Sequence, residues 1–155
     1  MSKTLVNRAY FFAKAAHEGQ KYGEHDYFSH HVLGVVSILT NELGVTDSTA
    51  IAAALLHDVV EDCNITSKYA AERFGFAVAQ HVKDLTNTSD DYLKYVQRIA
   101  VIGGYSAMVK FADSLFNYRS CIASGDTKRA AKYFYNLEVL VNEHTIGLFS
   151  NLENY

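Results

Sequence analysis

Residues 51–56, IAAALL, are apolar at every position, and the 155-residue chain contains no proline. Both features push the fold the same way. A helix that is apolar all round has to be surrounded by other elements, and a chain without proline meets no imposed helix break. The segment STAIAAALLHDVVED, residues 48–62, therefore predicts a central helix capped by Thr46 or Asp47. Four polar side chains, His57, Asp58, Glu61 and Asp62, follow its apolar run. On one helix, positions i and i+4 share a face, which sets His57 above Glu61 and Asp58 above Asp62. Acids at a helix C-terminus oppose the macrodipole. A bound cation reverses that sign.

The rest of the chain reads as further helices. TLVNRAYFFAKAAHEG has apolar residues at helical spacing and Gly19 at its end, followed by a polar loop, QKYGEHDYFS. A second helix is expected from Ser29 to Leu43, stopped by Gly44, and a short one from Thr66 to Gly75. FAVAQHVKDLT and YLKYVQRIAVI follow, the latter broken by Gly103 and Gly104. YSAMVKFADSLFNYRSCIAS runs to Gly125, and Asp126 or Thr127 starts the last, KRAAKYFYNLEVLVNEH. With no period-2 strand in sight, the expectation is an all-α bundle of seven or eight helices in a single domain, residues 1–155.

Composition excludes several classes of function. A net charge of −3 without any Lys/Arg block leaves no electrostatic footprint for nucleic acid or an anionic membrane. No apolar run approaches the ~20 residues that span a bilayer. Cys63 and Cys121 lack CxxC spacing, and the amino terminus lacks a signal-peptide core, so a reducing cytoplasm is expected. Nothing in the composition sets the oligomeric state.

Metal sites in helical bundles draw ligands from several helices. Besides His57 and Asp58, two places offer such ligands. His30 or His31 opens the second helix, and Asp113 is the only carboxylate in AMVKFADSLF, between Val109, Phe111, Leu115 and Phe116. An unpaired carboxylate there would be costly. A metal resolves the cost, and so would Lys110, three residues earlier.

The order H…HD…D resembles that of the HD phosphohydrolase superfamily. The chain is similar to the hydrolase domain of RelA/SpoT-type enzymes and, in its brevity, to the small stand-alone alarmone hydrolases of the metazoan SpoT homologue type. AALLHDVVED matches the family pattern AALLHDxxED without a gap, KFADSLFNYR matches KLADRLxNxR, and HVLGVVSIL aligns with HPxxVAxIL, with Val32 in place of proline. The resemblance implies that His31, with His30 as the neighbouring alternative, joins His57, Asp58 and Asp113 around one divalent metal, usually Mn²⁺. It also implies catalytic positions for Glu61 and Asp62, and an HD helical fold. The implied activity is a (p)ppGpp 3′-pyrophosphohydrolase of the stringent response, yielding GDP or GTP and pyrophosphate, with no synthetase domain alongside.

One loop departs from the family. Where RKxGxPY is usual, KYGEHDYF puts Tyr22 for the Arg and Gly23 for the Lys. Tyr22 could stack on a purine, and Lys21 could restore the lost charge. Asn117, on the same face as Asp113, and Arg119 complete the expected substrate contacts, against the blander roles of a local backbone cap and a surface ion pair. Two other readings stay open, the first because this loop differs and the second, from another class, weighed against by the presence of all four ligands and both ED acids. One is hydrolysis of another nucleotide, such as the NADPH 2′-phosphate or a dNTP; the other is a non-catalytic alarmone-binding module. The aromatic run Tyr133 to Asn136 reads as core, and His17, His25, His81 and His144 as structural or exposed.

Overall fold

The computed structural model of the protein describes residues 4–152, with side chains from 4 to 142; the His144 side chain lies outside the described residues. Two compact units divide the chain, the first ending at Asn87 and the second beginning at Thr88. The proline-free sequence carries no linker that marks this division.

In the first unit, α1 (Leu5–Ala16) starts at Thr4, whose hydroxyl accepts the Asn7 N–H at 3.3 Å. A tiny antiparallel hairpin follows, β1 (Lys21–Tyr22) paired with β2 (His25–Asp26), where a plain polar loop was expected. Gly23, at φ 59°, makes the turn with a backbone that side-chain-bearing residues rarely adopt. Asp26 then accepts both the N–H and the hydroxyl of Ser29, each at 2.8 Å, launching the next helical stretch.

That stretch differs from the regular helix expected over Ser29 to Leu43. α2 (Leu33–Ser37) is flanked by wider π turns, Phe28–Val32 and Ile38–Glu42, closed by i→i+5 bonds from Leu33 to Phe28 and from Leu43 to Ile38. Asp47 caps α3 (Ser48–Leu56), accepting from Thr49 and Ala50 at 2.8 and 3.0 Å. The long central helix does not continue through the acids. It breaks at His57 and Asp58, and α4 (Val59–Asp62) is a separate turn. Thr66 caps α5 (Ser67–Phe74), and α6 (Phe76–Leu85) completes the unit.

The first unit's core is the one the apolar run demanded. Ala52, Leu55, Leu56 and Val59 pack with Ala9 and Ala13 of α1, Phe28 and Val32, and Val78 and Val82 of α6. In the second unit α7 (Tyr92–Ile102), capped by Asp91, packs with α8 (Gly104–Ser124) and α9 (Thr127–Leu152). The all-α class holds, and the extra short segments arise from the break at His57 and the π turns. Among the described residues, no helix is long and apolar enough to cross a membrane.

Leu56 is fully buried, whereas Val101 is 75% exposed. Leu56→Ala is expected to cost about 2–5 kcal/mol in urea unfolding and Val101→Ala less than about 0.5 kcal/mol. Equal costs would contradict the central position of α3.

Candidate metal centre

The break in the HD segment builds the site. At Asp58 the backbone turns to φ −104° and ψ −2°, and Asp58 becomes the residue that precedes α4 rather than a mid-helix position. The i/i+4 pairing expected for His57 with Glu61 therefore gives way to a corner. His57 and Asp58 project from the corner, and the exposed Glu61 and Asp62 end the short turn after it.

His57 is 3% exposed, and its Nδ1–H donates to the Ala54 carbonyl at 2.7 Å. That bond places a proton on Nδ1, so Nε2, the nitrogen facing Asp58, is left to take either a second proton or a metal ion. Nε2 lies 2.9 Å from Asp58 Oδ2, and His31 Nε2 lies 3.5 Å from the same oxygen. The two imidazole rings are 5.5 Å apart, and their ligand atoms come within 4.8 Å of each other. Tyr27 Oη donates to Asp58 Oδ2 at 2.5 Å. Burial pushes the Asp58 carboxyl up, but the His57 charge and hydrogen bonds from His31 and His57 outweigh it and hold it well below the usual range.

A carboxylate oxygen facing imidazole nitrogens at these distances needs a cation among them, either a proton or a metal ion. Two imidazole nitrogens and a carboxylate oxygen are a donor set suited to a divalent first-row metal. The residues present fit such an ion. With an ion bound there, Tyr27 would be the outer partner that orients the Asp58 carboxylate.

The two candidate histidines at the start of the second helix separate cleanly. His31 is buried and faces His57, whereas the His30 ring stacks on His25, with centroids 4.1 Å apart. Burial, with His25 and His31 nearby, lowers the His30 pKa and favours its neutral form. Tyr22 lies parallel to the His31 ring at 5.2 Å, so in this structure its stacking partner is a candidate ligand. Lys21, beside it on β1, is exposed.

Of the two acids, Glu61 accepts the backbone N–H of Asn87, and Asp62 accepts a 2.9 Å bond from the Gln20 amide. The neighbouring Cys63 thiol is pushed up to about 11 by burial and by Asp62 and Asp58. It stays protonated near neutrality and is a poor nucleophile.

In the second unit, Asp113 is buried on α8. Its Oδ2 pairs with Lys110 Nζ at 2.9 Å, and Asn117 donates to its Oδ1 at 2.8 Å and its carbonyl at 3.0 Å. Lys110 is therefore the cationic partner that the spacing offered for this buried carboxylate. Asn117 does make the local backbone bond of the blander reading, but it also holds the carboxylate. Burial pushes the Lys110 pKa down, yet Asp113, with Tyr95 and Tyr92, more than offsets this and holds it well above normal. Arg119 is exposed on the same helix. Lys132 of α9 sits 3.9 Å over the Tyr92 ring, and Asn136 donates to the Tyr92 hydroxyl at 2.8 Å.

Sequence reasoning missed Tyr27 and Gln20. Tyr27 precedes His31 by four residues, the spacing that puts two side chains on one helical face, and its ring lies 5.0 Å from that of His31. Gln20 reaches Asp62 across 42 residues, which no local pattern reveals.

A model of the HD domain family matches residues 9–98, more than half the chain. This chain belongs to the HD-domain family. The guanosine-3′,5′-bis(diphosphate) 3′-pyrophosphohydrolase MESH1 of Xenopus tropicalis is 34% identical over 143 residues, covering 84% of this chain and 79% of that protein. The Mus musculus protein of the same name is 33% identical over 158 residues, covering 96% and 88%. A solved structure, a metazoan ortholog of SpoT that hydrolyzes ppGpp and plays a role in starvation responses, superposes with a TM-score of 0.77. It is 26% identical, with 92% of this chain and 86% of that one covered.

Metal titration by calorimetry tests the assignment. His31→Ala should weaken divalent-metal binding by more than about 100-fold and Tyr27→Phe by about 10-fold, with His30→Ala within about twofold of the parent. Loss of the metal in His30→Ala alone would reverse the choice of histidine.

Proposed function

We propose that the protein is a metal-dependent hydrolase that removes pyrophosphate from the 3′ position of (p)ppGpp, releasing GDP or GTP. The observation that carries this reading is the corner at His57 and Asp58, with His31 against it and two acids one turn on. It occurs in a chain 34% identical to a relative named as a 3′-pyrophosphohydrolase of that compound. The HD-family match spans the boundary between the two compact units, which supports reading residues 1–155 as one HD domain.

In this proposal His31, His57 and Asp58 hold the metal, and the motif order assigns Asp113 as a fourth ligand. Imidazole and carboxylate donors with open positions suit Mn²⁺. When bound, the metal supplies Lewis acidity toward the phosphoryl oxygens and makes water more acidic. The chain's own residues do the rest. Glu61 or Asp62 takes the proton of the attacking water, whose oxygen forms the new bond to phosphorus as the bond to the nucleotide 3′-oxygen breaks. The nucleotide oxygen leaves with a proton, so one water is consumed for each pyrophosphate released. Ala54 fixes the His57 tautomer and Tyr27 the Asp58 carboxylate. Lys21 and Arg119 meet the phosphates, and Tyr22 and Asn117 border the nucleotide. Free Cys63 and Cys121 support a reducing cytoplasm as its location.

The test is product analysis with purified protein, Mn²⁺ and a panel of ppGpp, NADPH and dNTPs. Pyrophosphate from ppGpp is the expected result, and it should disappear with a chelator. Asp58→Ala should lose both metal and turnover, whereas Glu61→Gln should keep the metal and lose about 10²–10⁴-fold in kcat. Turnover of NADPH or a dNTP but not ppGpp would overturn the substrate, and binding of ppGpp without turnover of any compound would overturn the enzyme.

A further inference from the structure

Asp62 is exposed at the last position of a four-residue turn, where little packing would hold its side chain still. Gln20, just past the end of α1, reaches it, and His17 stands behind Gln20. His17 is 1% exposed, and its ring lies between Tyr27, at 4.9 Å, and the Cys63 sulfur, 3.3 Å from Nδ1. A buried imidazole needs a hydrogen-bond partner, and here it is Gln20, whose Oε1 lies 2.7 Å from Nδ1. An amide oxygen only accepts, so the proton sits on Nδ1 and the Gln20 NH₂ points the other way. It points at Asp62 Oδ2, 2.9 Å off. A carboxylate also only accepts, so both ends of the relay demand the same amide orientation.

The Gln20 backbone is pinned as well. Its N–H donates to the His17 carbonyl at 3.0 Å, and its own carbonyl accepts from Tyr27 N–H at 3.0 Å, at the base of the hairpin. Tyr27, in turn, holds Asp58. His17 thus braces the phenol that orients Asp58 and the amide that orients Asp62.

We propose that His17 and Gln20 are positioning residues, a two-bond relay that holds the Asp62 carboxylate in its working direction. The inference rests on the hydrolase reading given above and adds to it a reason why the end of the first helix matters to the reaction. Both act through Asp62 and Tyr27.

Gln20 is half-buried, so Gln20→Leu can remove the amide without emptying the core. With Mn²⁺-loaded protein and ppGpp, kcat should fall about 10- to 100-fold, the scale of a misdirected reacting group. KM should stay within about twofold, and metal content and Tm should match the parent. Gln20→Glu, which sets two acceptors face to face, should fall further than Gln20→Leu. In the Asp62→Asn background the Gln20→Leu effect should vanish, because residues acting through one another are not additive. His17→Phe, which keeps the ring contact with Tyr27 but has no donor, should lower kcat in the same direction.

An unchanged kcat in Gln20→Leu, or a loss that multiplies with Asp62→Asn, overturns the relay while the active parent leaves the proposed function standing. A loss of Tm or metal that accounts for the whole fall in kcat makes Gln20 a structural tether and also overturns it. A parent inactive on ppGpp removes the proposed function and the relay with it.

Discussion

One oxygen, Asp58 Oδ2, organises the first unit's chemistry. His57, His31 and Tyr27 all converge on it, within 2.9, 3.5 and 2.5 Å. Concentrating two imidazoles and a phenol around a carboxylate makes sense only if charge is balanced inside the cluster, since isolated buried charge is prohibitively costly. The break after α3 makes the convergence possible. Had the helix continued, Asp58 would have followed the helical face at about 100° from His57. Instead the corner brings adjacent residues onto one centre.

The scaffold that holds this corner is apolar and closely surrounded. Ala52, Leu55, Leu56 and Val59 bracket His57 and Asp58 in sequence and are buried. The imidazole tautomer is set from within by Ala54, a carbonyl at the end of α3 that the broken helix leaves available. The same break that removes a helical hydrogen bond therefore supplies an acceptor that orients a candidate ligand. The π turn Phe28–Val32 does the comparable work for His31, lodging it among buried residues while His30, one position earlier, turns to His25.

Much of this was legible in the sequence, and the reasons are local. The Asp47 and Thr66 caps, the stops at Gly75 and Gly103, and the Tyr92–Ile102 helix depend on neighbours a few residues apart. The HD and ED pairs stand out because polar residues directly follow an apolar run. The corner at Asp58 was not legible, because every residue from Ala52 to Asp62 is compatible with helix and only tertiary packing selects the break. The hairpin at Lys21–Tyr22 was hidden for a different reason: two-residue strands are too short to show alternation. Gln20 and Tyr27 were overlooked because their importance lies in partners 42 and 31 residues away. Resemblance singled out His31 over His30 by alignment, and the structure adds the physical ground, burial against His57.

In the proposed site His31, His57 and Asp58 share a single cation. An anomalous-difference map from crystals grown with Mn²⁺ tests it most directly. One peak is expected within about 2.2 Å of a nitrogen from each of His31 and His57 and an oxygen of Asp58. A peak between His25 and His30, with none at the corner, would contradict it.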